Sequence, residues 1–348
     1  MITTLICATV LTQSKGFNNL PFLKVRGNQL VNSKKTPVLL RGVNIASLEW
    51  TSNGEGHIIE SVRMAVQVWK SNVVRIPMAQ DRWFGKEPGT TDGGKAYREI
   101  IRKIVSTANM YGAYVMLDLH WSNGGVWGQN IWQHKMPDYK SKDFWVSCAT
   151  EFSNNPGVIF DMYNETYGIT WNVWKNGGSV TETQALGYGQ GQFIPSTYQT
   201  PGMQALLNAI RATGAKNLIV AGGLDWAYDL SGFLNGYQLS DPTGNGVIYA
   251  CHSYPFKGDT VAQWLAKLDA ALPVIPVFVG EFGDQPNQQT PSTWVTQVLA
   301  AMETRGVHWA AWDFHPAAGP CLISDWNYTP TASFGVPVKA TLASTPTP

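Results

Sequence analysis

Charge is scarce in this chain. Asp, Glu, Lys and Arg make up 14% of its 348 residues, against roughly a quarter in an ordinary globular chain. The formal net charge is +1, with no long block of one sign. That excludes an extended basic face for nucleic acid and a polybasic anchor for anionic membranes. No apolar run reaches bilayer-spanning length. There are four cysteines, Cys7, Cys148, Cys251 and Cys321. No pair of them has metal-ligand spacing, so no zinc site is expected. An even count permits disulfides without requiring them. Cys7 falls in a terminal segment and Cys251 inside an apolar β-like run, so buried free thiols are the expected state. No glycine fingerprint for cradling phosphate follows the first β-like run, which counts against the open-sheet nucleotide binders.

Apolar residues and tryptophan are plentiful. Hydrophobic residues reach 44%, enough for a large core, and there are 15 Trp. Indole faces stack on the apolar faces of sugar rings, so the excess points toward a carbohydrate ligand, although any one Trp more often fills a core.

Eight short β-like runs alternate with longer helical patterns: 36–46, 72–78, 113–121, 157–165, 217–223, 246–254, 275–283 and 306–314. Their near-continuous apolar middles are those of parallel strands covered on both faces. Helical spacing marks 57–70, 97–112, 143–155, 203–214, 260–272 and 293–306, and several of these end at Gly. The alternation predicts an α/β fold, and eight units within one domain's length predict a closed (β/α)8 barrel. A hairpin turning at Gly27-Asn28 is expected to close the barrel bottom. Two long loops, about 166–200 and 315–330, follow strands on the face where barrel active sites are built.

The ends of the chain read differently. Residues 1–19 form an N-terminal extension, apolar but without a basic n-region, that fits either a trimmed export signal or cloning residues. Residues 20–340 form the barrel domain. From 341 to 348 the sequence turns Ser/Thr/Pro-rich, as at the start of an extended linker that could carry a carbohydrate-binding module.

Polar side chains gather at the ends of the β-like runs: Arg75, Asp118, His120, Asn164, Glu165, His252, Tyr254, Glu281 and Trp312. Charge inside a strand is costly without a partner, whereas at the C-terminal mouth of a barrel such groups converge on one pocket. Glu165 ends the fourth run and Glu281 the seventh, facing each other across the mouth. Glycoside hydrolysis needs such a pair, one acid to protonate the leaving oxygen and one carboxylate to attack or to activate water. Arg75 has a plainer reading as the ion-pair partner of Asp118, and His120 and His252 as core histidines. Glu49, Glu55 and Glu151 read as surface residues, and Asp225 and Asp313 have no assigned role.

The segments LRGVNIA, VRIPM, LDLHW, MYNET, HSY, VGEFG and AAWDF, in this order, resemble glycoside hydrolase family 5 across roughly residues 20–335. The resemblance implies a retaining mechanism without cofactor or metal, with Glu165 as acid/base and Glu281 as nucleophile. It implies that Asn164 bonds the sugar 2-hydroxyl, that Arg75 and Tyr254 hold Glu281, and that His252 sits against the acid/base or the sugar. It further implies that His120 binds a sugar hydroxyl and that Trp312 is the stacking floor. Trp50, Trp83, Trp121, Trp127, Trp132, Trp171, Trp226 and Trp326 fall in or beside loops after strands, where they could line a cleft; Trp50 and Trp121 are the binding candidates. The resemblance favours an endo-acting β-1,4-glucanase, with mannan, xyloglucan or lichenan as alternative substrates. A polymeric substrate implies a secreted enzyme, expected to be a monomer. More remote alternatives are a non-catalytic glycan-binding barrel and a metal-dependent barrel enzyme in which Asp118, Glu165 and Glu281 hold Mg²⁺.

Overall fold

Eight parallel strands close on themselves in the computed structural model, which describes residues 20–87, 89–122, 133–186, 192–286 and 289–344, the side chains of 184–186 and 192–195 excepted. A short antiparallel hairpin, β1 (Lys24–Arg26) and β2 (Gln29–Val31), precedes them. The barrel strands are β3 (Arg41–Asn44), β4 (Val73–Ala79), β5 (Tyr114–Trp121) and β6 (Val158–Asp161). They are followed by β9 (Ile219–Gly222), β10 (Val247–Ser253), β11 (Val277–Phe282) and β12 (His308–Ala311). Between β6 and β9 lies a second antiparallel hairpin, β7 (Gly178–Leu186) with β8 (Gln192–Thr200). Each barrel strand falls within its predicted run, except that β4 extends one residue past its run to Ala79. All seven residues of β4 and of β10 are buried, as strands covered on both faces require.

The period of two along each strand divides the core. Outward side chains such as Val74, Ile76, Val115, Leu117, Phe160 and Val279 pack under the helices. Inward ones form a separate cluster that includes Val73, Tyr114, Met116, Ile159, Val220, Ile248 and Phe278. Leu23 and Leu30 of the first hairpin join the inward cluster, so the hairpin does plug the N-terminal end. Its turn places Gly27 at φ 63°, where a residue without Cβ is unstrained.

The predicted helices form with small shifts, for example Lys95–Met110, Tyr139–Phe152 and Thr293–Arg305. The first begins as Ile58–Arg63 and widens to a π turn over Met64–Val68. Two expectations are corrected. The stretch read as one long loop after the fourth strand contains the β7–β8 hairpin, which pairs outside the barrel. The last helix runs Gly335–Ala343 with Val338 and Leu342 buried, so the first residues of the expected linker are helical, because Leu342 has a core to fill. Cys148, Cys251 and Cys321 are buried free thiols; Cys7, Trp127 and Trp132 lie outside the described residues.

Candidate active site

One step further along the inward-facing positions, apolar residues give way to a buried polar layer. Strand register assembles it: Asn44 of β3 lies beside Arg75 of β4, and Asp118 of β5 beside Asp161 of β6. Between Cys251 and His252 the register of β10 against β11 slips, which sets His252 beside Glu281. A Cβ on Gly280 would lie 2.9 Å from His252 Nε2, so glycine at that position leaves the imidazole its room.

Arg75, with no solvent exposure, organises the layer. Its Nε donates to Asp161 Oδ2 at 2.8 Å, and its Nη1 to Asn44 Oδ1 at 2.9 Å and to Glu281 Oε1 at 2.8 Å. Its Nη2 donates to Asn164 Oδ1 at 2.8 Å and lies 3.0 Å from Asp118 Oδ2. The two sequence readings of Arg75, as partner of Asp118 and as holder of Glu281, are therefore both realised. Tyr254 completes the grip on Glu281, its hydroxyl donating to Oε2 at 2.8 Å.

Glu165 sits in different surroundings. Its Oε1 shares a hydrogen bond with His252 Nδ1 at 2.9 Å, and that nitrogen is 3.6 Å from Glu281 Oε2. Burial pushes the Glu165 carboxyl up to about 7, opposed by the nearby His120, Arg75 and Lys257. Burial holds His252 down at about 3 and His120 at about 4, so both imidazoles are neutral at neutral pH. The two glutamates thus differ in kind: one carboxylate is gripped by a guanidinium and a phenol, and the other acid is desolvated beside a neutral ring. Unequal environments of this sort separate an acid from a nucleophile.

His120 is held by Asp118 (Nδ1 to Oδ2, 2.6 Å), and its Nε2 lies 3.3 Å from Asn164 Nδ2. Its ring stacks on Trp312 at 5.2 Å, with an interplanar angle of 14°. Trp312 is half-buried and precedes a cis peptide to Asp313. Along the mouth, Trp50 lies 6.5 Å from Trp121 and meets His315 edge-on, while Trp326 stacks on His57 at 4.1 Å. Trp171 and Trp226 line a cavity of about 640 Å³. Trp83 belongs elsewhere: it is fully buried and donates to Ser147 Oγ, because its segment folds back as a short helix under the barrel wall.

Glu49 departs from its surface reading, Glu55 keeps it, and Asp313, which carried no expectation, is buried. Glu49 is buried rather than exposed, and burial pushes its carboxyl up to about 8. Glu55 joins two loops, accepting from Trp50 Nε1 at 3.0 Å and bonding His315 Nε2 at 2.7 Å. Asp313 is fully buried with neither carboxyl oxygen bonded, and burial, then Glu49 and Glu281, push it well above the carboxylate range. Glu151 is paired with Arg102 near the surface, as expected. Asn44, Asp161 and Gln133 are site residues that sequence reasoning missed. Asp161 carried a usable signal, an acid at an inward position of an apolar strand in register with Asp118. Gln133, on a loop, carried none.

Among the described residues, the donor atoms of Glu165, His252 and Glu281 converge within 4.8 Å of one another. Asp118, considered with the two glutamates as a ligand for Mg²⁺, is not in that group, since its Oδ2 serves Arg75 and His120. Both oxygens of Glu281 are already bonded. The arrangement fits two facing carboxyl groups better than a cation cage. One oxygen of each glutamate lies within 4.8 Å of one of the other, a close approach that suits the roughly 5–5.5 Å pairing of retaining glycosidases.

A closed parallel barrel with two facing glutamates at the ends of its fourth and seventh strands has the architecture of a retaining glycosidase. The chain belongs to glycosyl hydrolase family 5, the cellulase family, whose model matches residues 31–318. It is 24% identical over 339 residues to an endoglucanase of Clostridium saccharobutylicum, covering 93% of this chain and 66% of that one. It is 21% identical over 302 residues to endoglucanase E-5 of Thermobifida fusca, covering 84% of this chain and 55% of that one. The chain thus spans between about half and two thirds of the length of these relatives. Among solved structures, the β-glucanase SdGluc5_26A of Saccharophagus degradans superposes with a TM-score of 0.73 at 22% identity, over 94% of this chain and 95% of that one.

Proposed function

We propose that this protein is a secreted, endo-acting, retaining β-1,4-glucanase. The observation that carries the reading is the pair itself: Glu281, bonded by Arg75 and Tyr254, within 4.8 Å of Glu165 beside His252. In the first step Glu281 attacks the anomeric carbon, the C1–O bond breaks, and the Glu165 proton passes to the departing oxygen. In the second, Glu165 takes a proton from water, which displaces Glu281. Trp312 forms the floor beneath the cleaved sugar, with Asn164 and His120 at its hydroxyls. Trp50 and Trp121 extend the cleft wall. The choice of glucan is supported by the relatives named endoglucanase and by the Saccharophagus degradans β-glucanase solved with cellotetraose. Extracellular location follows from a substrate too large to enter a cell, and a carbohydrate-binding module beyond the C-terminal segment would suit the same substrate.

The test is stereochemical. Proton NMR of cellotetraose hydrolysis should show the β-anomer of the new reducing end first, with α appearing only by mutarotation. An α-anomer formed first would exclude double displacement. Endo-action should lower the viscosity of soluble carboxymethyl cellulose well ahead of reducing-sugar release.

The pH profile should report Glu165. The acid must carry its proton in the free enzyme, and its carboxyl titrates at about 7. Accordingly kcat/KM on cellotetraose should hold up to about pH 7 and then fall by roughly tenfold per pH unit. A fall beginning near the ordinary carboxylate range would mean that burial does not tune the acid.

A further inference from the structure

We propose that Gln133 is a positioning residue for Glu165, and that the β7–β8 hairpin holds it in place through Glu182; this rests on the reading of Glu165 as acid/base. Gln133 bridges two neighbours in the chain. Its Nε2 donates to the backbone carbonyl of Glu165 at 2.8 Å, and its Oε1 accepts from Asn164 Nδ2 at 3.0 Å. The amide therefore fixes the backbone just past β6, while Arg75 holds Asn164 by its other amide atom.

Gln133 lies on a loop, and the loop needs a support of its own. The residues after it are tied to the hairpin. Glu182 Oε1 bonds His134 Nδ1 at 2.5 Å, and Glu182 Oε2 accepts from Lys135 N at 3.0 Å. The Tyr198 hydroxyl accepts from Met136 N at 2.9 Å and donates to Met136 O at 2.8 Å. His134 packs against the Tyr198 ring at 4.7 Å. Glu182 is buried, its two carboxylate oxygens spent on this loop. From below, the Tyr163 hydroxyl donates to His134 O at 2.9 Å. The hairpin is inserted in the chain just after Glu165 and returns to grip the segment that grips Glu165. A carboxyl held this way keeps its line to the departing oxygen, and small misplacements of a catalytic group are costly.

The distinguishing measurement is leaving-group dependence. Proton donation matters for a poorly acidic phenol and hardly at all for one that departs unaided. With aryl β-cellobiosides of graded phenol acidity, Gln133→Ala should lower kcat/KM by about 10- to 100-fold for the least acidic phenol. Dinitrophenyl cellobioside should lose much less, only the part of the effect that passes through Asn164, so the plot against phenol pKa steepens. Glu182→Ala, outside the catalytic pocket, should steepen the plot in the same sense by less, and Glu182→Gln should restore most of the loss. A loss equal for all phenols in both Gln133→Ala and Glu182→Ala, with the wild type active, overturns the positioning role alone. A wild type that releases no phenol from any aryl β-cellobioside overturns the glycosidase reading and the positioning role with it.

Discussion

Glu281→Gln is expected to abolish turnover of soluble carboxymethyl cellulose, lowering kcat by at least about 10⁴-fold, while cellotetraose still binds. The amide has the shape of the carboxylate, but its lone pairs cannot form the glycosyl ester, so the first bond-making step is lost. Its contacts can survive. The amide oxygen can accept from Arg75 Nη1 as Glu281 Oε1 does, and the amide nitrogen can donate to the Tyr254 hydroxyl once that hydroxyl turns. Electrostatics favour the variant's fold. Arg75 faces Asp118, Asp161 and Glu281 within 3.0 Å, one positive group against three acids, so removing one charge relieves repulsion. The melting temperature should hold or rise. Activity at a tenth of wild type, in a preparation shown free of host cellulase, would remove Glu281 from the nucleophile role.

The parts legible in the sequence share a cause. The barrel strands could be read because a strand buried on both faces must be apolar throughout, and Val73–Ala79 or Val247–Ser253 leave little else to be. The facing glutamates could be read because Glu165 and Glu281 interrupt such runs at their ends. What was not legible depended on tertiary placement. The β7–β8 hairpin alternates β-branched and polar residues through TETQ, yet its pairing partner and its dock against His134 and Met136 are set by the loop it meets. Glu49 follows β3 as a lone acid at the start of a loop, and only the closed barrel shows that Ser47 N is its hydrogen-bond donor and that water is excluded. Gln133 has no periodic context at all. Arg75 was legible as important, but its pairing with five side chains required the registers of β3, β5 and β6 to be known.

That pairing with five side chains makes Arg75 the residue whose loss should unsettle the fold most. Arg75→Met fills much of the same volume with apolar atoms and leaves Asp118, Asp161 and Glu281 buried without their cation. Breaking a buried ion pair from one side costs about 3–5 kcal/mol, which for a domain of this size lowers the melting temperature on the order of 10 °C. The pH dependence gives the sign. Burial already pushes Asp118 and Asp161 up to about 7, with Arg75 the main influence lowering both. Without the guanidinium they bind protons to still higher pH in the folded state than in the unfolded chain. A folded state that holds extra protons loses stability as pH rises. The difference in melting temperature between wild type and Arg75→Met should therefore be smallest near pH 5 and widen through pH 7 to 8. Arg75→Lys should recover little, because a single ammonium cannot reach Asn44, Asp161, Asn164 and Glu281 at once as the planar fork does. A pH-independent difference, followed by calorimetry across that range, would mean that the carboxylates find other partners and that Arg75 acts through packing alone.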